Sequence, residues 1–316
     1  MSRLRRLFCL LCCALWVSHS ALGLAAPPEK PRGLPALNVA ALAASETQVF
    51  VAGFDEGLYV VDQTGSARPF EDPALSRHIN ALAWSERERT LWLGTARGLT
   101  RCRMITPAAC TRLGPSSAVH ALLLRRDGSL VAGGDAGLTF SSASSTRTIG
   151  KKQAAPYRSV WALAEGSDGT LFIGATNGLF WGKIEGFEHD DVELQRASVV
   201  IGTLPDDWVT AILLDGNELH VGTYNAGVAS FTVDAGALRS PSHDLAAGYV
   251  NPAGLFRVDT RLAVASMTGL RLGQPGHTSL IATRARDVTA LAPAAGGGYW
   301  VGTRQGLEWV TLASGP

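Results

Sequence analysis

The stretch Ile79–Thr100 reads INALAWSERERTLWLGTARGLT. An apolar run gives way to a charged turn and then to a second run ending Leu91-Trp92-Leu93-Gly94-Thr95. A bend bounded by Gly94 and Gly98 follows, and a third run begins at Leu99. Each run is a few residues long, rich in aliphatic or aromatic side chains and flanked by turn formers. That pattern is a strand, too short and too evenly apolar for a helix. Three strands joined by two tight turns make an antiparallel meander.

Versions of this unit fill almost the whole chain. The bend glycine followed by an aliphatic residue recurs at Gly57, Gly98, Gly137, Gly178, Gly227, Gly269 and Gly306, in steps of 41, 39, 41, 49, 42 and 37 residues. An earlier glycine stands at Gly53, Gly94, Gly133, Gly174, Gly222 and Gly302, with Ala265 in that place in the sixth copy. Glycine is expected at these places because a tight bend needs positive φ, where a Cβ would clash. The run before the bend has counterparts such as Val49-Phe50-Val51, Leu171-Phe172-Ile173 and Tyr299-Trp300-Val301, which read as strands buried on both faces. Trp92, Phe172 and Trp300 are therefore expected in the core. Asp127-Gly128, Asp168-Gly169 and Asp215-Gly216 are hairpin signals between the first and second runs.

A fourth, more variable strand completes each copy, for example Thr146–Ile149 or Ser198–Ile201. Four short antiparallel strands per ~40 residues, repeated seven times, specify an all-β fold, a seven-bladed β-propeller built of four-stranded antiparallel blades. The seventh copy ends after three strands. Arg32–Leu37 is the candidate for its missing fourth strand, because Pro31 and Pro35 suit an outer edge. The extra length of the fourth copy falls at Glu185–Gln195, an acidic loop expected to be a solvated insertion.

Residues 1–25 read as an export signal and residues 26–316 as a single propeller domain. Arg3, Arg5 and Arg6 precede the apolar run Leu7–Val17, and small residues allow cleavage after Gly23 or Ala25. The run is too short for a membrane span of about 20 residues. No later run is long enough either, so a periplasmic or secreted monomer without a membrane span is expected. Three of the five cysteines leave with the leader, and Cys102 and Cys110 remain around a hairpin tip. An even pair in an exported chain is expected to form a disulfide. Charge is nearly balanced, with 28 basic against 27 acidic residues, and forms no basic stripe. Nucleic acid is thereby excluded as a partner.

The pattern Leu-(Trp/Phe)-(Leu/Ile)-Gly-(Thr/Ala)-x-x-Gly-Leu in Ile79–Leu99 and Val160–Leu179, matched closely in Val288–Leu307, resembles the two-component regulator propeller repeat. The resemblance extends over about residues 38–312. It implies a propeller of the sort that forms the periplasmic sensing part of hybrid histidine kinases. The chain carries no kinase or DNA-binding pattern, so only the sensing or binding half of that role carries over.

In a propeller, the loop leading into each innermost strand and the bend between the second and third strands lie on one face, around the mouth of the central channel. Aligned copies are uniform in the neighbouring columns and variable, polar or aromatic in these. Variable residues on a uniform scaffold are where specificity resides. The candidate ligand-binding residues are Asn80, Arg97, His120, Asp135, Trp161, Asn177, Trp208, Tyr224, Asn225 and Arg304. His78, Asn251, Asp287 and Thr289 occupy equivalent columns. The ligand itself, whether a small molecule, a glycan or a protein, is not specified, and no cofactor is implied.

Catalysis finds little support. There is no Gly-x-Ser-x-Gly elbow, His-Glu-x-x-His pair or phosphate-binding Gly-x-x-x-x-Gly-Lys loop. The alternative is a metal-dependent hydrolase or lyase with a single divalent cation at the mouth. Asp55, Asp135, Asn80, Asn225 and His120 would supply ligands of the types that hard cations take.

Overall fold

The second run of each repeat becomes a strand covered on both faces. Thr90–Thr95 and Thr170–Ala175 are buried at every position. Trp92, Phe172 and Trp300 are all inside. The computed structural model describes residues 28–104, 108–142, 145–149, 155–184, 193–281, 286–294 and 297–312. Seven antiparallel sheets follow one another along the chain, each with its strands in sequence order, six of four strands and the last of three. The blades span residues 39–70, 79–113, 119–149, 160–197, 209–244, 250–280 and 288–310.

The hydrophobic core is divided among the gaps between blades. Phe50 and Leu58 of blade one pack with Ile79 and Leu91 of blade two. Phe140 and Ile149 of blade three meet Leu171 and Ile173 of blade four. The same holds at every junction, up to Trp300 and Leu307 of blade seven against Val39 and Val51 of blade one. Each fully buried large side chain contributes about 1.5–3 kcal/mol. The fold's stability is therefore held between blades, so one blade removed from its neighbours would lose both sides of its core.

The two glycine columns do different jobs, and only one is a bend glycine. Gly178 has φ +130°, as the bend requires, whereas Gly174 lies inside a strand and is absent from the positive-φ positions. What Gly174 supplies is the lack of a Cβ. One placed there would stand 2.5 Å from Cγ1 of Val209, the first residue of the next blade's inner strand. Gly94, Gly133, Gly222 and Gly302 face Val119, Val160, Val250 and Val39 in the same way. The bend is further closed by a hydroxyl: Thr95, Thr223, Ser266 and Thr303 each donate to the carbonyl of the bend glycine, at 2.8 to 3.0 Å.

Ring closure differs from the expectation. Arg32–Leu37 adds no fourth strand to blade seven, which stays three-stranded. Instead the Trp309 N–H of blade seven donates to the Glu29 carbonyl, and Arg32 pairs in parallel with Ser66 of blade one. Pro31 and Pro35 interrupt donation along the segment, so it makes point contacts rather than a ladder. Leu34 and Leu37 then enter the core between blades seven and one. The fourth strand of blade four is Gln195–Ala197, not Ser198–Ile201. The Thr203 hydroxyl takes the Ser198 N–H, and Gly202 N–H bonds to the Val199 carbonyl, which curls residues 198–204 into a loop. The acidic insertion falls mostly on residues 185–192, outside the described residues.

Cys102 and Cys110 pair directly across adjacent strands of blade two and are bonded as a disulfide. Among the described residues no helix is long and apolar enough to cross a membrane.

His220, inside blade five, donates to or accepts from Ser230 Oγ at 2.8 Å through Nδ1. Burial pushes its pKa below the ordinary 6.5. Glu218 opposes that shift, Arg257 adds to it and Asp215 opposes it. The unfolded chain therefore binds this proton more readily than the folded one. Stability is expected to fall as pH drops through 6.5, and to keep falling down to the lower folded pKa. A His220→Gln variant, which keeps a partner for Ser230, should show a shallower loss of melting temperature between about pH 7 and pH 5. Parallel profiles for variant and native protein would refute this.

Candidate ligand-binding mouth

One irregularity recurs at the start of every inner strand and aims the side chains of the mouth. Pairing with the second strand skips one residue in blades one to five and seven, as between Ile79 and Ala81 in blade two. In blade six the break is wider, from Val250 to Leu255. The skipped position is Ala40, Asn80, His120, Trp161, Thr210, Asn251 and Thr289 in turn. A β-bulge leaves its residue out of the ladder and re-aims the side chain, here towards the channel axis. All of them but Thr210 line the cavity at the channel mouth, a funnel of about 390 Å³. Beneath it, a narrower space of about 120 Å³ is walled mainly by alanine and leucine of the inner strands.

Three of the bulge residues are also clamps. Asn80 Nδ2 donates to the Val119 carbonyl at 3.0 Å, Thr210 Oγ1 to Val250 at 2.7 Å and Asn251 Nδ2 to Val288 at 2.5 Å. Each bond crosses to the first inner-strand residue of the following blade. These side chains thus hold the ring together, and for the asparagines only the amide nitrogen is used. His120, Trp161 and Thr289 make no such clamp.

The remaining wall is aromatic. His120 stacks on Trp161 with centroids 4.1 Å apart and planes 3° from parallel. Trp161 meets Trp208 edge-on at 5.6 Å, Trp208 stacks on Tyr224 at 4.3 Å, and Tyr224 meets Tyr249 edge-on at 4.9 Å. The series runs without a break through blades three to six. Across the mouth, Phe54 tilts against His78 at 4.1 Å. Offset and edge-on contacts of this kind fix the rings in place. Two carboxylates orient the imidazoles: Asp135 lies 3.2 Å from His120 Nε2 and also accepts from Ser159, and Asp55 lies 2.9 Å from His78 Nδ1.

The sequence candidates divide accordingly. Asn80, His120, Trp161 and Arg304 line the cavity, while Trp208 and Tyr224 back its wall and Asp135 positions His120. Arg97, Asn177 and Asn225 lie outside the lining. Asn177 ties its bend to the incoming loop, accepting from the Arg158 N–H and donating to the Pro156 carbonyl. At Asn225 the backbone N–H bonds to Asp206, and at Arg97 the backbone N–H bonds to Thr95 Oγ1. Phe54 and Tyr249 line the mouth without having been singled out. Tyr249 immediately precedes the first inner-strand valine, two places before the bulge column. Burial, then the neighbouring Tyr224, raises the pKa of the Tyr249 phenol, with Arg304 opposing, so it stays protonated at neutral pH.

Among the described residues no carboxylate lines the cavity. Among the described residues, His, Cys, Asp and Glu nowhere gather in a group of three that could hold a metal. Asp55 and Asp135, proposed from the sequence as oxygen ligands, face histidines instead.

The two faces of the disc are chemically unlike. Seven of the eight exposed large hydrophobics among the described residues, including Phe54, Val200, Tyr224, Leu245 and Met267, sit in bends or incoming loops on the mouth side. The hairpins of the opposite face are polar, as in Glu86–Arg89 and Asp215–Asn217.

No family model matches the chain, and no curated protein matches it in sequence. Solved structures do match. The extracellular domain of the putative one component system BT4673 from B. thetaiotaomicron superposes with TM-score 0.71 at 16% identity, over 91% of this chain and 40% of that one. The extracellular domain of the putative hybrid two component system BT3049 from the same organism gives TM-score 0.72 at 16% identity, over 89% and 40%. The WD40 propeller domain of Doa1 gives 0.67 at 12% identity, over 89% and 96%. The chain thus spans about 40% of the length of the two extracellular domains. At such identities the agreement is one of fold. The chain is a seven-bladed β-propeller whose architecture matches part of the extracellular domains of a putative one component and a putative hybrid two component system.

Proposed function

We propose that the protein is an exported, non-catalytic propeller that captures a ligand at its channel mouth, in a sensing or binding role. The observation that carries this reading is the unbroken series of rings from His120 to Tyr249 around a cavity large enough for a ring-sized molecule. Rigid, half-buried aromatics give large contact area at low entropic cost, which is why they dominate binding sites. Concentration of the exposed apolar residues on the same face supports the reading. The leader-like residues 1–25 and the Cys102–Cys110 bridge support an oxidising, periplasmic or secreted location. The extracellular placement named for two structural matches points the same way.

A small molecule, a glycan or a projecting protein segment would all fit a funnel of this kind. A metal-dependent hydrolase is the less favoured reading, because the lining offers amides, imidazoles and rings where a hard cation takes carboxylates. The test is capture of soluble glycans and peptides by the native protein and by Trp161→Ala. Truncation of Trp161 is expected to weaken capture roughly tenfold or more, with the β-sheet spectrum retained. Undiminished capture by a folded Trp161→Ala variant would count against the mouth.

A further inference from the structure

Among the described residues the wall of the mouth carries one full positive charge. Of these residues Arg304 is the single Lys or Arg lining the cavity, and no Asp or Glu lines it. The bend that carries Arg304 is fixed by its own N–H, which donates to the Asp287 carbonyl. The guanidinium itself makes no hydrogen bond or ion pair with any described residue. Asp55 and Asp135, acids of the bends of blades one and three, are taken up by His78 and His120. An acidic group entering the mouth would therefore meet a cation not already engaged in an ion pair with a described residue.

Two further polar atoms at the cavity can donate as well. The Trp161 indole N–H and the Thr289 hydroxyl are buried at the cavity without partners. An indole N–H can only donate, and a hydroxyl can donate as readily as accept. The Tyr249 phenol, held protonated, adds a further donor near Arg304. Unsatisfied donors around an apolar wall are costly unless something brings acceptors to them.

We propose that the mouth recognises a ligand whose ring carries one carboxylate, with Arg304 as the anchor for the acid and the Trp161 side of the wall as the platform for the ring. This rests on the mouth being the binding site. A guanidinium presents parallel N–H groups that match both oxygens of a carboxylate, which gives the acid a preferred orientation as well as a charge partner. The shared chemistry, a carboxylate on a six-membered ring, occurs both at uronic acids of saccharides and in aromatic acids.

The experiment is calorimetric titration of the full chain with two matched pairs: a galacturonic-acid oligomer against a galactose oligomer, and benzoate against benzamide. Each is run on the native protein, Arg304→Gln and Trp161→Ala. The expected result is that at least one acid binds about tenfold or more tightly than its neutral counterpart. Arg304→Gln should erase that preference with an unchanged melting curve, since the side chain is exposed and unpaired. The pair that shows the preference tells saccharide from aromatic acid. Equal binding within both pairs, a preference that survives in Arg304→Gln, or no binding of either acid at millimolar concentration would overturn the proposal. A neutral probe bound as tightly as its acid by the native protein and lost in Trp161→Ala would reject the acid while leaving the mouth intact. Acid binding indifferent to both variants would reject the mouth itself.

Discussion

Replacing Gly174 by valine is expected to destabilise the protein by about 3 kcal/mol, the upper part of the range for overpacked cores. Gly174 is paired with Ala162 on one side and Leu179 on the other, in the middle of blade four. A Cβ at that position would stand 2.5 Å from Val209 Cγ1, 3.0 Å from Ala162 Cβ and 3.1 Å from Val209 Cβ. None of these atoms is the far end of a flexible chain. Ala162 Cβ and Val209 Cβ are bonded to the main chain, and both residues are buried. Relief would require blade five to move away from blade four, opening the core that holds Phe172, Trp181 and Phe231. Gly216→Asn is the matched control. It has φ +61° and open space around its missing Cβ, and asparagine tolerates that backbone. Denaturant midpoints should fall sharply for the first variant and barely move for the second. Equal midpoints would show that blades four and five do not pack through this glycine.

The second large effect concerns the disulfide. Cys102 is fully buried in the core between blades one and two, beside Leu58 and Leu91, and Cys110 faces it from the outer strand. The bridge closes a loop of eight residues. Removing the loop-closure entropy from the unfolded chain is worth about 2–3 kcal/mol for a loop this short. Reduction, or the double change Cys102→Ala and Cys110→Ala, should lower the denaturant midpoint by that amount. Reductant should then have no further effect on the double variant. A native protein insensitive to reductant would show that the outer strand of blade two is held by its hydrogen bonds alone.

The strands were legible in the sequence because burial on both faces demands short apolar runs, and because seven copies expose the period. The division of labour between the glycines was not. Bend and inter-blade contact both select glycine, and only the partner across the gap separates them: Val209 for Gly174, nothing in sequence proximity. Likewise the columns of Asn80, His120 and Trp161 stood out by their variability, but their common bulge did not, since a bulge is a property of pairing. Asn80 and Asn251 proved to hold neighbouring blades through their amide nitrogens, a role that polar character alone does not reveal. Phe54 escaped because it sits one place before the bend column, whereas Tyr249 shares the column of His78, Trp208 and Asp287 and was passed over. The segment before blade one was expected to add a strand and adds none, because its prolines suit an edge but also interrupt the donation that a ladder needs.

That segment has a consequence for how the protein is made. The Trp309 N–H and the Glu29 carbonyl are almost a full chain apart, and the core they adjoin needs residues from both termini. A chain made from its N-terminus onward delivers Leu34 and Leu37 long before Trp300 and Leu307. Blade one then waits with one flank bare until the last strand arrives, and the ring can shut only after synthesis is complete. Contacts of such long range are the slowest to form. Closing the circle, rather than building any blade, is the step at which a folding chaperone would matter most.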